Sequence, residues 1–157
     1  MYQLPPIPAK KRKARKKYAK PESVKELERL KNEQDRVKHP NVDPKYLAPY
    51  VYRDDTANGL TACIVTYITL RGGFASRVNN GGTWRKDLGK YTPSGAKRGI
   101  SDIIATYKGV SLMVEVKIAR DKMSIFQERV KAEHEAAGGR WFTARDFTSF
   151  KQWFDGL

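Results

Sequence analysis

The sequence predicts an α/β protein in which a mixed central β-sheet is flanked by helices. Two observations support this class. First, segments with apolar residues at helical spacing alternate with short apolar runs typical of strands, in the order α-β-β-β-α-β-α. Second, Lys108-Gly109 separates two apolar runs, residues 103–107 and 112–114. A short turn signal between apolar runs predicts a β-hairpin near the middle of the sheet.

Residues 1–20 form a basic stretch with no acidic residue before Glu22, in a chain of net charge +14. Such a segment repels itself and is expected to be a disordered tail. Its expected partner is nucleic acid rather than a membrane, because no amphipathic aromatic stripe accompanies the charge. A nuclear-import signal or a ribosomal-protein arm has the same composition. The tail residues expected to contact phosphates are Lys11, Arg12, Lys13, Arg15, Lys16 and Lys17.

Residues 21–53 are predicted to form a charged helix followed by a proline-containing linker. Val24 and Leu27 begin a thin apolar stripe, which predicts a helix that docks weakly. Residues 39–49 contain three prolines and are expected to be extended. The compact domain is then expected over residues 54–157.

Within that domain, apolar residues at helical spacing between Leu60 and Leu70 predict a helix that Gly72-Gly73 ends. A strand over 74–79 and a long loop over 80–98, rich in Gly, Lys and Arg, precede the hairpin. After the hairpin, the pattern predicts a helix over 124–137, a strand over 140–144 and a closing helix marked by Phe147, Phe150 and Phe154.

The register of the hairpin decides which polar side chains share a face. A two-residue turn at Lys108-Gly109 puts Asp102 opposite Glu115, and alternation puts Lys117 on the same side. Opposed Cβ atoms lie roughly 4.5–5.5 Å apart, so both carboxylates can hold one divalent cation and its activated water. The opposite face is apolar and is expected to pack in the core. Asp, Glu and Lys on a solvent face are also ordinary surface features, so this pattern alone leaves a non-catalytic surface open.

The hairpin motifs lie within a longer pattern. The motifs, in chain order, are residues 77–80 (Arg-Val-Asn-Asn), 99–102 (Gly-Ile-Ser-Asp), 115–117 (Glu-Val-Lys), and Ser124 with Gln127. In this order and spacing, the chain from about Thr56 to Leu157 resembles the virus-type replication-repair nuclease (VRR-NUC) domain of the PD-(D/E)XK nuclease superfamily. Ser101 stands where the superfamily's name has proline.

The resemblance implies a role for each motif residue. Asp102 and Glu115 would bind Mg²⁺ or Mn²⁺, and the backbone carbonyl of Val116 would be a further ligand. Lys117 would position the attacking water, stabilise the transition state, or act as a base if its pKa is lowered beside the cation. Gln127 would contact water, metal or phosphate. Ser124-x-x-Gln127 is also a helix capping box, which is the alternative role for Gln127.

One position departs from the family pattern. VRR-NUC domains place a glutamate on the first helix, whereas residues 57–61 here contain no acid. Asn58 or Thr61 could hold a metal-bound water instead, or Asp54 or Asp55 could reach into the site. Otherwise the site has one carboxylate fewer than the family pattern.

The predicted loop carries the residues expected to bind substrate. The basic residues of this loop, with one on the preceding strand, would contact phosphates without reading bases. They are Arg77, Arg85, Lys86, Lys90, Lys97 and Arg98. Trp84 would stack on an unpaired base or be buried. The resemblance implies a structure-selective DNA endonuclease that acts on junctions, flaps or other branched DNA as a homodimer. We expect replication or repair proteins as further partners, and the cytoplasm of a bacterial or phage-infected cell as its location.

Two other functions fit the sequence. One is a nucleic-acid-binding protein that keeps the nuclease fold without cutting, and the other is a nuclease subunit active only in a larger assembly, docked through residues 22–50. A membrane protein is not expected, because the sequence has no run of eighteen apolar residues. The single Cys63 excludes an internal disulfide and a cysteine-based zinc site.

Overall fold

The structure is a computed structural model that describes residues 18–79, 81–92 and 95–157. Residues 1–17 of the predicted disordered tail lie outside the described residues. The described elements are, in order, α1 (Glu22–Lys38), a short 3₁₀ helix (Pro44–Tyr46), α2 (Ala57–Leu70), β1 (Phe74–Arg77), β2 (Thr83–Arg85), β3 (Lys90–Thr92), β4 (Ile103–Tyr107), β5 (Val110–Val116), α3 (Ile125–Ala136), β6 (Arg140–Ala144) and α4 (Phe147–Asp155).

The main sheet has four strands in the order β1-β4-β5-β6. β4 pairs antiparallel with both β1 and β5, whereas β5 and β6 are parallel and are joined through α3. A parallel pair needs a crossover connection of this kind. The predicted class, a mixed sheet flanked by helices, is confirmed.

One face of the sheet packs on α2 and α4, α1 packs against these two helices, and together they form the main core. The alternating residues of the hairpin that were predicted to face the core are buried there, among them Ile103, Leu112 and Val114. The predicted phenylalanine stripe of α4 is also confirmed, since Phe147, Phe150 and Phe154 are all buried in the same cluster.

On the opposite face, α3 packs over the β6 side of the sheet, whereas Phe74 of β1 and Ile104 of β4 are exposed. Met113 of β5 pairs with Trp141 of β6, and Trp141 is buried, as is Val130 of α3. Side chains alternate along a strand, so Glu115 points to the same face as Met113. The helix that connects β5 to β6 therefore covers the polar residues of the hairpin.

The N-terminal helix is more firmly docked than its sequence predicted. Val24 and Leu27 of α1 are completely buried in the main core, because two apolar residues on one face are enough to fill the space beside α2 and α4. The linker after α1 is held along it: Glu28 accepts the backbone N–H of Tyr52 at 2.7 Å, and Asn32 accepts that of Tyr50 at 2.8 Å. The core therefore includes residues before position 54, where the compact domain was expected to begin.

The expectation of a continuous loop over 80–98 is wrong. β2 and β3 form a separate two-stranded hairpin in this segment, with Trp84 opposite Tyr91. Thr, Trp and Tyr favour strands, but three-residue strands without an apolar core face leave no detectable periodicity in the sequence.

The longest helix in the described part of the chain is α1, with 17 residues. None of the described helices combines the length and the apolar character that crossing a bilayer requires.

Candidate active site

The central hairpin has the register that its turn predicted. Tyr107 pairs with Val110 across Lys108 and Gly109, which both have positive φ, and the ladder continues to Ile103 opposite Val114. One further step places Asp102 opposite Glu115. Asp102 lies just before β4, and its Oδ2 accepts the backbone N–H of Val116 at 2.9 Å. This hydrogen bond joins the Asp102 carboxylate to β5.

Glu115 lies at the centre of the site. It occupies β5 between β4 and β6, and only 2% of its surface is exposed. Its Oε1 accepts hydrogen bonds from Lys117 Nζ at 3.0 Å and from Gln127 Nε2 at 2.5 Å. Its Oε2 is buried and has no hydrogen-bond partner among the described residues. A buried carboxylate oxygen is costly to leave unsatisfied.

Burial and neighbouring charges shift the pKa of both Glu115 and Lys117. Burial raises the pKa of Glu115, the charge of Asp102 raises it further, and the hydrogen bond from Lys117 only partly opposes this. Burial lowers the pKa of Lys117, but the hydrogen bond and charge of Glu115, with the charges of Asp121 and Asp102, outweigh burial and raise it. Lys117 is therefore an ammonium at neutral pH in these contacts.

Lys117 and Asp102 are also less exposed to solvent than expected for residues on a solvent-facing surface. Lys117 is 7% exposed, and Asp102 is half-buried. The reason is that α3 covers this side of the sheet and β6 pairs along β5 beyond Glu115.

Gln127 caps α3 and also contacts Glu115. Its backbone N–H donates to Ser124 Oγ at 3.3 Å, and its Oε1 accepts the Ser124 N–H at 2.9 Å, which completes the capping box. Its Nε2 meanwhile donates to Glu115. A carboxamide has an acceptor and a donor group, so one side chain can cap the helix and contact the site together.

Gly99 allows the loop before Asp102 to touch the start of α3. Its φ is +89°, and a Cβ at this position would lie 2.3 Å from the carbonyl oxygen of Phe126. Only glycine fits such a close approach. Ser101 is buried and donates to the carbonyl of Ile103 at 2.8 Å. The residues around Asp102 thus hold the loop between β4 and α3.

The candidate substitutes for the first-helix acid are occupied elsewhere. Asp54 accepts hydrogen bonds from the Tyr18 hydroxyl at 2.7 Å and from the Phe147 N–H at 3.2 Å. Asp55 forms an ion pair with Arg53 at 2.6 Å.

The hydroxyl of Thr61 donates to the Ala57 carbonyl within α2 at 2.8 Å, and Asn58 is exposed in the first turn of that helix. In the described ranges, no group of three or more His, Cys, Asp and Glu side chains is arranged to hold a metal. The carboxylates that the structure brings together at the hairpin are those of Asp102 and Glu115.

The described basic residues that were predicted to bind substrate lie in three places: a cleft, the β2–β3 hairpin and the end of β1. Lys97 and Arg98 line a cleft of about 610 Å³ with Gly99, Ser124 and Gln127. Lys97 pairs with Glu133 of α3, and the Arg98 guanidinium lies 3.6 Å from the centre of the Phe126 ring.

Arg85, Lys86 and Lys90 are exposed on the β2–β3 hairpin, and Gly82, just before β2, lines the same cleft. Arg77 is exposed at the end of β1. The expected phosphate contacts of residues 11–17 lie outside the described residues, as does Asn80 of the 77–80 motif.

Two site features escaped the sequence interpretation. Asp121 reaches Lys117 at 3.6 Å, and its only sequence signal is its i+4 spacing from the lysine. Trp84 and Tyr91 form an exposed pair on β2–β3, which could be found only by pairing the two short strands.

Comparison of the chain with known protein families and with curated protein sequences finds no match. The fold and the site define the class: an α/β protein with a buried carboxylate–lysine pair beside a basic cleft. Its function is therefore inferred from its own residues.

Proposed function

We propose that this protein is a metal-dependent DNA endonuclease of the VRR-NUC type, within the PD-(D/E)XK superfamily, that hydrolyses phosphodiester bonds in branched DNA. The observation that carries the proposal is Glu115 Oε2, which is buried without a hydrogen-bond partner in the described chain and lies on the strand opposite Asp102. Hard divalent cations prefer carboxylate oxygens of this kind. The positions of the motifs, just before β4, at the end of β5 and at the start of α3, support the resemblance.

The residues present fit Mg²⁺ or Mn²⁺. Asp102 and Glu115 would hold the ion, and the resemblance adds the carbonyl of Val116. When bound, the metal lowers the pKa of its water and neutralises charge on the scissile phosphate. The Val116 N–H holds one oxygen of Asp102, while Lys117 and Gln127 hold one oxygen of Glu115. These bonds orient the remaining oxygen of each carboxylate.

Lys117 would act as a cation. Its Nζ lies 3.0 Å from Glu115 Oε1 and 3.6 Å from Asp121 Oδ2. An ammonium in a partly desolvated site stabilises the negative charge that develops on a phosphate oxygen. Its contacts therefore favour charge stabilisation over the role of general base.

The basic surface supports DNA as the substrate. Lys97 and Arg98 line the cleft that reaches Gln127, and the chain carries a net charge of +14. Cations that contact phosphates bind DNA by charge and shape rather than by sequence. The proposal includes a homodimer, replication or repair proteins as partners, and the cytoplasm of a bacterial or phage-infected cell.

A nicking assay tests the proposal. Wild type is incubated with a four-way junction, a flap and a linear duplex, in Mg²⁺, Mn²⁺ or EDTA. We expect metal-dependent cutting of branched DNA that Asp102→Asn and Lys117→Ala abolish. Asp43→Asn changes an exposed carboxylate that caps the short 3₁₀ helix, and it should leave cutting unchanged. Cutting that persists in EDTA, or that survives in Asp102→Asn, would contradict the proposal.

The second candidate is a nucleic-acid-binding protein that does not cut. It is favoured because Asp54 interacts with Tyr18 and Asp55 with Arg53. The site at the hairpin then has two carboxylates, those of Asp102 and Glu115. If wild type binds branched DNA but leaves it intact with every metal, this function replaces the endonuclease. The alternative of docking into a larger assembly through residues 22–50 has less support, because Val24 and Leu27 pack in the protein's own core.

A further inference from the structure

The β2–β3 hairpin carries two large aromatic side chains that the core does not use. Trp84 is 49% exposed and Tyr91 is 70% exposed. They face each other across the two strands, with ring centroids 5.3 Å apart and planes inclined by 61°. Neither ring belongs to the buried cluster or packs against it among the described residues. Core packing therefore does not explain why two aromatic residues occupy this ribbon.

The charge around these rings identifies the partner. Residues 81–98 contain five basic residues and one acidic residue, Asp87, which makes a net charge of +4. The cations on the hairpin itself, Arg85, Lys86 and Lys90, are exposed, and Arg85 also pairs with Asp87 at 2.7 Å. An apolar protein surface or a membrane interior would not select this charge. Exposed aromatic rings within a positive surface are the usual means of binding single-stranded nucleic acid.

The hairpin also lies beside the candidate active site. Gly82, two residues before Trp84, lines the cleft that contains Lys97, Arg98 and Gln127. Two residues of extended chain span about 7 Å. A strand of DNA whose phosphates follow the cleft could therefore present a base to the ring pair.

We propose that the β2–β3 hairpin binds unpaired nucleotides, with Trp84 and Tyr91 stacking on a base while Lys86 and Lys90 contact the adjacent phosphates. Stacking accepts any base, because every base has a π face. The hairpin then makes the protein prefer DNA with a single-stranded segment over a blunt duplex. As an explanation of which DNA is cut, this inference rests on the proposed endonuclease function.

Binding measured without cleavage tests the inference. The full chain is titrated in EDTA against fluorescent oligo-dT, a flap duplex and a blunt duplex of equal length. We expect Trp84→Ala to weaken binding of oligo-dT and of the flap about tenfold, which is the usual effect of removing one stacking interaction. Binding of the blunt duplex should change less than about twofold, since phosphate contacts dominate there. Trp84→Phe keeps an aromatic face and should recover most of the affinity.

Tyr46→Ala is the matched control, because Tyr46 is 74% exposed but lies in the short 3₁₀ helix outside this hairpin. Unchanged thermal unfolding of each variant shows that the fold is intact, and Tyr91→Ala gives a second variant in the same pair. Equal affinity of Trp84→Ala and wild type for oligo-dT would overturn the inference. Equal losses for all three DNAs would overturn it too, because they would indicate a general loss of charge interactions or of structure.

The two proposals fail separately. Stacking through Trp84 without metal-dependent cutting would refute the endonuclease and retain the hairpin as a binding element. Cutting of branched DNA that Trp84→Ala and Tyr91→Ala leave unchanged, with unchanged oligo-dT affinity, would refute the hairpin and retain the endonuclease.

Discussion

Gln127 Nε2 donates a hydrogen bond to Glu115 Oε1, so the first turn of α3 is tied to the central strand of the sheet. The same side chain closes the capping box with Ser124. The start of the helix and the orientation of the buried glutamate therefore depend on one residue. This relationship makes the two roles of Gln127 separable by mutation.

Ser124→Ala and Gln127→Ala should both lower stability, Gln127→Ala by more because it also removes a donor to the buried Glu115, and they should differ in their effect on activity. Each loses part of the capping box, which costs about 1 kcal/mol. Only Gln127→Ala also removes a donor to Glu115, and we expect cleavage to fall at least about tenfold there, the usual scale for losing an outer-shell partner of a metal ligand. Urea unfolding and nicking rates measure the two effects. Equal loss of cleavage in both variants would show that Gln127 acts only as a cap.

Mg²⁺ or Mn²⁺ should stabilise the folded protein independently of any cleavage. Binding to the native state at one hundred times Kd contributes about 2.7 kcal/mol. For a chain of this size, each kcal/mol raises Tm by about 2–4 °C. Thermal unfolding with and without metal should show this shift in wild type, and Glu115→Gln should lose it. A metal-induced shift of the same size in Glu115→Gln would place the cation elsewhere.

Acid should weaken the contact between α2 and α4. Asp155 accepts hydrogen bonds from Tyr67 at 2.6 Å and from Lys151 at 3.0 Å. Burial raises the pKa of Asp155, but the hydrogen bonds from Tyr67 and Lys151 outweigh burial, so the folded-state pKa is lowered. A lowered carboxyl pKa contributes stability above the unfolded value of about 3.9, and this contribution is lost as the pH falls through the folded value.

Asp155→Asn should therefore be less stable than wild type by about 2 kcal/mol at pH 7, the usual scale for hydrogen bonds to a charged group. The difference should shrink towards pH 3, which urea unfolding at several pH values measures. Asp43→Asn, at an exposed carboxylate, should show no such trend. A difference between Asp155→Asn and wild type that stays constant from pH 7 to pH 3 would contradict the assignment.

High pH should also weaken the contact between α2 and α4. Burial, followed by the hydrogen bond to Asp155 and its charge, raises the pKa of Tyr67 to about 12. A raised phenol pKa contributes stability below the unfolded value of about 10, and this contribution is lost as the pH rises through 12. Tyr67→Phe should approach wild type in stability over that alkaline range.

Deleting residues 1–17 should weaken DNA binding and leave the fold intact. The deletion removes Lys11, Arg12 and the neighbouring cations, so the slope of log affinity against log salt should fall by about 0.9 for each phosphate that is no longer neutralised. It keeps Tyr18, which bonds to the buried Asp54, and Lys20, which pairs with Glu28 at 2.5 Å. Fluorescence anisotropy at several salt concentrations gives the slope.

Deletion of residues 1–20 is the comparison, because it also removes the Tyr18 and Lys20 side chains and should lower thermal stability. If neither deletion changes the slope of log affinity against log salt, the tail does not contribute to DNA binding.

The hairpin that carries Asp102 and Glu115 could be predicted because its register depends on a local turn. Lys108-Gly109 sets the pairing, and the period of two then assigns every side chain to a face. The helices with a clear apolar stripe were predictable for the same reason. The β2–β3 hairpin was not, because its strands are too short to show a period and they pair only with each other.

The docking of α1 and the burial of the site depended on residues far along the chain. The stripe that begins with Val24 and Leu27 looks weak by itself, and only α2 and α4 determine that those two side chains are fully buried. If the hairpin is considered by itself, Glu115 and Lys117 lie on a face that would be exposed to solvent. β6 and α3 enclose them.

Local patterns in the chain were enough to specify the class of fold, the pairing of Asp102 with Glu115 and the cap at Ser124, because turns, alternation and capping act over a few residues. The three-dimensional packing was needed to bury Glu115 with one unpartnered oxygen among the described residues, and to bring Gln127 within reach of it. Those properties arise where β4, β5, β6 and α3 meet, and such long-range packing has no local signature in the chain.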